Sequence, residues 1–253
     1  MRRNQRHQKI INLLDQNQSL RVSELSAMLE VSEATIRRDL SWLEETQQLK
    51  RVHGGASLVE ARQIEPVTIL RAKEYKAEKQ RIGIAAAAMI QDGEAIFIGP
   101  GTTTMEIARH LCEKNDLTVI SNSISVINLL AQQKNISLVS TGGLLRRSEL
   151  TFLGHITEQA LRQLRPQKVF TGARALSVED GLTSGYLPEV STDRTIIESG
   201  SEVIIVADHS KLGKVAPAFI APVTSITKLI TDRDAAPESV QQFEEAGVEV
   251  ILC

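Results

Sequence analysis

The sequence predicts an α/β protein with an N-terminal winged helix-turn-helix and a C-terminal, mostly parallel sheet carrying helices on both faces. Three observations carry that expectation. Short helical patterns crowd the first fifty residues and end in a basic Gly-Gly segment. Seven short apolar runs then alternate with helical stretches from residue 76 onward. At 253 residues, with 42% apolar and 24% charged side chains, the chain can bury two cores.

In the N-terminal part, Ile10, Leu13 and Leu14 recur at helical spacing and predict a helix over residues 4–16. SELSAML predicts a second helix, with Ser23 as its N-cap and Leu25, Met28 and Leu29 on its apolar side. EVS is a tight connection. Ser32 then caps a third helix running to about Leu49. On that helix Ile36, Leu40 and Leu43 share the core side. Ala34, Arg38 and Ser41 lie opposite Ile36, with Thr35 and Arg37 on the flanks. Small residues followed by arginine near a helix N-terminus suit entry into a DNA groove. Small side chains permit close approach, and guanidinium forks onto a guanine edge or grips phosphate. Arg38 is the expected base contact and Arg37 the expected phosphate clamp. Asp39, beside the core stripe, is expected to be a structural partner. LKRVHGGASLV predicts a wing, with Lys50, Arg51 and His53 before the turn at Gly54 and Gly55. An arginine pair alone is often only a solvated helix face; the order of elements around it points to DNA. Charge agrees weakly: residues 1–58 hold nine Lys/Arg against seven Asp/Glu, while the rest is net acidic.

SELSAMLEVSEATIRRDLSWLEETQQLKRVHGGA resembles the N-terminal signature of the DeoR family of bacterial transcription regulators, through V-S-x-x-T-I-R-R-D-L and the closing H-G-G-A. The resemblance implies binding to operator double-stranded DNA. Residues 1–57 are expected to form that domain, 58–75 a linker interrupted by Pro66, and 76–253 the second domain.

In the second domain a helix is predicted over 76–91 and strands at EAIFI, LTVI, ISLV, KVFTG, EVIIVA, ITKLIT and VEVIL. Further helices are predicted at 103–114, 124–133, 155–164, 189–199 and 237–246. Open parallel sheets bind ligands at strand carboxyl ends, and several ends here are small or polar. EAIFI leads into Gly101, Thr102, Thr103 and Thr104, whose N–H groups and hydroxyls at a helix start form an anion cradle. The loop is neither a Walker loop nor a dinucleotide fingerprint, and alone it is also an ordinary helix cap. LTVI leads to Asn122, ISLV to Gly142, Gly143, Arg146 and Arg147, and EVIIVA to Asp208, Ser210, Lys211 and Gly213. Together these ends point to a small anionic ligand.

The same pieces resemble the family's effector domain, which is similar in fold to ribose-5-phosphate isomerase. That resemblance implies a phosphorylated sugar as effector, held by Gly101–Thr104, Asn122, Gly142, Gly143, Asp208 and Lys211, with Arg146 after its strand end and Glu189 at the start of the E-x-x-x-K helix as further candidates. Three departures stand out. Gly99 occupies the place of a frequent Asp, Ala175 ends the G-x-x-G segment, and Asp193 replaces a Lys. The alternative is a sugar-phosphate isomerase-like enzyme with a DNA-binding appendage. The missing acid at Gly99 argues against it, since isomerisation needs a positioned base, and no catalytic residue is assigned. A constitutive DNA binder with an inactive pocket is a third reading.

No metal or cofactor is expected, because Cys112 and Cys253 fit neither a zinc site nor a disulfide framework. No apolar run is long enough to span a membrane. The two cysteines point to a reducing, cytoplasmic setting, and a homo-oligomer, dimer or tetramer, is expected because one winged domain grips little DNA.

Overall fold

The computed structural model describes positions 6, 7, 9–11, 13, 14, 19–45, 49–52, 54–57 and 71–253. The chain separates into two compact units, Met1–Ile64 and Glu65–Cys253.

In the first unit, the described positions between 6 and 14 are helical and form α1. Strand β1 (Ser19–Arg21) leads directly into α2 (Val22–Leu29), and α3 (Glu33–Glu45) follows. Strands β2 (Lys50–Val52) and β3 (Gly55–Ser57) turn at Gly54, which has φ of 76°. Both strands of the expected wing are therefore present. A third strand, β1, joins them in the order β1-β3-β2. Gly55 is required there, because a Cβ would lie 2.2 Å from the Leu20 carbonyl oxygen. Ile10, Leu14, Leu25, Ile36, Leu40 and Leu43 are fully buried in one core. The expected cap at Ser23 is corrected. β1 runs to Arg21, so the helix begins at Val22, and the Glu24 carboxylate instead accepts the Arg21 N–H at 2.6 Å. Ser32 does cap α3, with its Oγ accepting from the Thr35 N–H at 3.3 Å. The described helix stops at Glu45, short of Leu49.

The second unit opens with α4 (Lys76–Ala88). Seven parallel strands follow: β4 (Ala95–Ile98), β5 (Leu117–Ser121), β6 (Ile136–Ser140), β9 (Lys168–Gly172), β12 (Glu202–Val206), β14 (Lys228–Thr231) and β15 (Glu249–Leu252). Their order is β15-β14-β12-β9-β4-β5-β6, and every neighbouring pair is parallel. The chain winds outward from β4 to β6, then returns to lay β9 on the other side of β4. That reversal opens a crevice at the carboxyl ends of β4 and β9.

Helices cover both faces. Ile96 and Ile98 pack with α4, α5 (Thr102–Arg109) and α6 (Ile124–Leu130). Phe97 points to the other face, with Leu161 of α7 (His155–Arg162) and Ile196 of α8 (Val190–Ser199). Phe243 of α9 (Pro237–Glu245) packs in a further cluster with Val203 and Leu229.

Two small antiparallel sheets extend this plan beyond the expected strands. One is the hairpin β7 (Leu144–Arg146) and β8 (Thr151–Leu153). The other joins β10 (Ala175–Ser177), β11 (Gly181–Ser184) and β13 (Ala218–Ala221). Such three- and four-residue strands are too short to show a period in sequence. No described helix is long and apolar enough to cross a membrane.

Candidate functional site

On α3 the core stripe of Ile36, Leu40 and Leu43 leaves Ala34, Arg37 and Arg38 exposed on the outward side. Arg37 pairs with Glu33 one turn earlier at 3.0 Å. Arg38 turns its Nε to the Ala34 carbonyl at 3.3 Å. Ser41 lies between α3 and the wing. Its hydroxyl donates to the Arg37 carbonyl at 3.0 Å and accepts from Arg51 Nη1 at 3.3 Å. The small-then-basic helix face and the Arg51 side of the wing therefore adjoin.

Asp39 belongs to the scaffold of this surface. It is 3% exposed and receives the Arg6 guanidinium, with Nη2 at 3.1 Å, and His7 Nε2 at 2.9 Å. Burial acts to raise its pKa, but the Arg6 and His7 hydrogen bonds outweigh burial and hold the carboxyl below the ordinary range. The His7 ring also stacks on Trp42, with centroids 4.7 Å apart. Asp39 and Trp42 thus lock α1 onto α3.

In the second unit, a cleft of about 80 Å³ opens at the crevice between β4 and β9. After β4, Gly101 takes φ of 140° and caps α5, so Thr102 and Thr103 present the first turn's N–H groups. Thr171 and Arg174 enter from β9, and Asp208 and Lys211 from β12. From α4 comes Lys79, only 4% exposed. Its Nζ donates to the Arg71 and Glu74 carbonyls at 2.6 and 2.7 Å and lies 3.9 Å from Asp208. Burial lowers its pKa, with the Asp208 charge pulling the other way. Glu189 pairs with Arg146, whose guanidinium lies 3.9 Å above the Tyr186 ring. Cations and a helix N-terminus thus converge on one recess, which suits an anion, with carboxylates beside them able to accept from hydroxyls.

Residues 74–233 match the family model of the DeoR C terminal sensor domain. Residues 6–62 match that of the DeoR-like helix-turn-helix domain. The chain belongs to the DeoR family.

Full-length DeoR-family relatives are transcription regulators. The glycerol-3-phosphate regulon repressor of Escherichia coli K12 is 30% identical over all of both chains. The transcriptional repressor AccR of Agrobacterium fabrum is 36% identical, over 90% of this chain and 88% of its own. This chain is accordingly a DNA-binding transcription regulator rather than an enzyme. A slighter likeness, 20% identical with a TM-score of 0.42 over 55% of each chain, is to ribose 5-phosphate isomerase A from Methanocaldococcus jannaschii.

Of the residues expected at an effector site, Gly101, Thr102, Thr103, Glu189, Asp208 and Lys211 line the cleft, and Arg146 reaches it through Glu189. Four anticipated residues do not line it. Thr104 is fully buried and donates back to the Gly101 carbonyl at 3.0 Å, a capping role. Asn122 donates to the Phe152 carbonyl at 3.0 Å and ties β5 to the hairpin. Gly142 offers its carbonyl to Thr157 Oγ1 at 2.6 Å, and a Cβ on Gly143 would lie 2.1 Å from the same hydroxyl. These two glycines let the chain turn into the hairpin. On the DNA side, His53 and the Lys50 side chain lie outside the described residues.

Lys79, Arg71, Glu149 and Arg174 were not anticipated. A signal for Lys79 existed: it stands at i−3, i−4 and i−7 from Ile82, Gly83 and Ala86, so a lysine occupies the buried stripe of α4. Glu149 and Arg174 carried none, because they meet only through the fold. The departure at Gly99 has a local cause, since a Cβ there would lie 2.9 Å from Thr171 Oγ1. Among the described residues, His209, Asp232 and Asp234 bring possible metal-ligating atoms within 4.8 Å. Asp232 already accepts from the His209 N–H, the His209 ring and the Asp234 N–H. That network ties Asp232 to His209 and to the Asp234 backbone.

Proposed function

We propose that this protein is a repressor of a carbohydrate-utilisation operon whose hold on operator DNA is changed by a phosphorylated sugar. The observation that carries the reading is buried Lys79, set beside the N-terminal turn of α5 and across from Lys211. Lys79 Nζ is held by the Arg71 and Glu74 carbonyls beside Asp208, which fixes its positive charge in the recess, and a phosphate at the α5 N-terminus would meet that charge. The relatives that are glycerol-3-phosphate regulon repressors, in Escherichia coli and Haemophilus influenzae, favour the same ligand chemistry.

In this reading Gly101, Thr102, Thr103, Lys79 and Lys211 take the phosphate, while Glu189 and Asp208 accept from sugar hydroxyls. Arg146 orients Glu189. On the DNA side, α3 enters the major groove. Ala34 and Ser32 permit close approach, Arg38 reads a base edge, and Thr35, Arg37 and Ser41 touch the backbone or flanking bases. Lys50, Arg51, His53 and Gly54 of the wing follow the backbone. Two copies would bind two half-sites in a homo-oligomer. A thermal-shift screen of phosphorylated sugars, each beside its unphosphorylated parent, tests the ligand. A phosphosugar at 100 times its Kd should stabilise the protein by about 2.7 kcal/mol. If no phosphorylated compound moves the transition, the cleft is not an effector site.

A further inference from the structure

In the cleft a buried carboxylate, Glu149, stands between two arginines. Glu149 lies on the turn between β7 and β8 and is 7% exposed. Arg71 Nη2 donates to one of its oxygens, and Arg174 Nη2 is 3.0 Å from the other. Burial works to raise its pKa, and the Arg174 and Arg71 charges outweigh burial and keep it ionised. Two recesses meet at this side chain, and Lys79, Gly101 and Thr102 line both of them with Glu149. The neighbouring Leu150 takes φ of 52°, a left-handed conformation that costs a side-chain-bearing residue energy.

We infer that Glu149 is a resident counter-anion: in the free protein it holds Arg71 and Arg174 beside the Lys79, Gly101 and Thr102 that take the effector's phosphate, and the arriving phosphate displaces it from both arginines. The inference rests on the reading of the cleft as an effector site. Glu149 is a charged partner that both guanidiniums share in this recess. A phosphate presents more oxygens and charge to the same guanidinium forks. The two anions repel, so both cannot keep that place.

The exchange also has a route outward. Arg71 precedes α4, and its carbonyl is held by Lys79 Nζ at 2.6 Å. The phosphate-facing lysine and the Arg71 segment are therefore tied, and that segment follows directly on residues 58–70, which lead from the DNA-binding unit. Taking Glu149 away from Arg71 changes what anchors this end of the effector domain.

The sign of one substitution decides the matter. A carboxylate that reads a sugar hydroxyl helps binding, whereas a resident counter-anion opposes it. Inorganic phosphate is titrated by calorimetry into the full-length wild type, Glu149→Gln and Glu149→Asp. A site blocked in most molecules has its apparent affinity reduced by the open fraction. Glu149→Gln should therefore bind phosphate about tenfold more tightly, and the shorter Glu149→Asp should show a smaller gain. Should Glu149→Gln fold only in the presence of phosphate, that dependence supports the inference, and Glu149→Asp supplies the affinity comparison. Equal or weaker phosphate binding by the folded variants overturns it. If wild type and variants still bind phosphorylated sugars equally well, the cleft remains an effector site and only the role of Glu149 fails. If none of the proteins binds phosphate or any phosphorylated sugar, both fail.

Discussion

Replacing Asp39 by alanine should loosen the DNA-binding unit without touching its outward face. The Asp39 side chain is 4% exposed, and its partners Arg6 and His7 are 13% and 7% exposed. Removing one member of a buried, hydrogen-bonded charge pair typically costs about 3–5 kcal/mol, because the partner's charge is left uncompensated. Arg6 keeps some contact with water, so the lower end, about 3 kcal/mol, is expected here. Asp39→Asn retains an acceptor and should cost less. Trp42 is the sole tryptophan of the chain and stacks on His7, so its fluorescence follows this unit during urea unfolding. The midpoint should fall while the slope is unchanged. The sign of the pH dependence follows from the lowered pKa. Stability from Asp39 is present above its unfolded value, about pH 4, and is lost as pH falls through the lower folded value. Wild type and Asp39→Asn should converge in acid. A loss below about 0.5 kcal/mol at neutral pH would reduce the cluster to the worth of a surface pair and refute the reasoning.

Other substitutions separate recognition, sensing and scaffold. Arg38→Ala should weaken operator binding by about 1–3 kcal/mol in a gel-shift titration and relax preference at one base pair; unchanged affinity removes it from the readout set. Lys79→Met should destabilise the effector domain by up to about 3–5 kcal/mol, because buried Asp208 and the Arg71 and Glu74 carbonyls lose their partner. It should also abolish the thermal shift given by phosphorylated sugars, and a retained shift would move the phosphate elsewhere. Gly143→Ala should destabilise the effector domain by about 1–3 kcal/mol or more, measured by calorimetric unfolding. Its Cβ meets Thr157 Oγ1 at 2.1 Å and the Leu153 carbonyl at 2.9 Å, at φ of 123°.

The parallel sheet was readable because its strands are buried on both faces and so appear as unbroken apolar runs. EAIFI, KVFTG and EVIIVA became adjacent strands at the centre. Helix starts were also legible: the helices expected from 103 and 124 begin at Thr102 and Ile124. Helix ends were overrun: the expected 103–114 stops at Arg109 and the expected 124–133 at Leu130. The helical projection of α3 gave both the buried Asp39 and the outward Arg38. The cleft was half legible. Residues that follow a strand announce themselves by position, as Thr102 and Lys211 do. Glu149 and Arg71 are 78 positions apart in sequence, and only the return of the hairpin over the crevice joins them.

The central claim is that one ligand in the cleft alters the grip of α3 on DNA, and operator affinity with and without that ligand tests it directly. Fluorescence anisotropy of a labelled operator duplex, titrated with the protein at fixed salt, gives both affinities. A phosphorylated sugar that stabilises the protein should change operator affinity by about 5–150-fold, the usual range of coupling between two sites. A ligand that binds the cleft while operator affinity stays the same in its presence and absence would contradict the account.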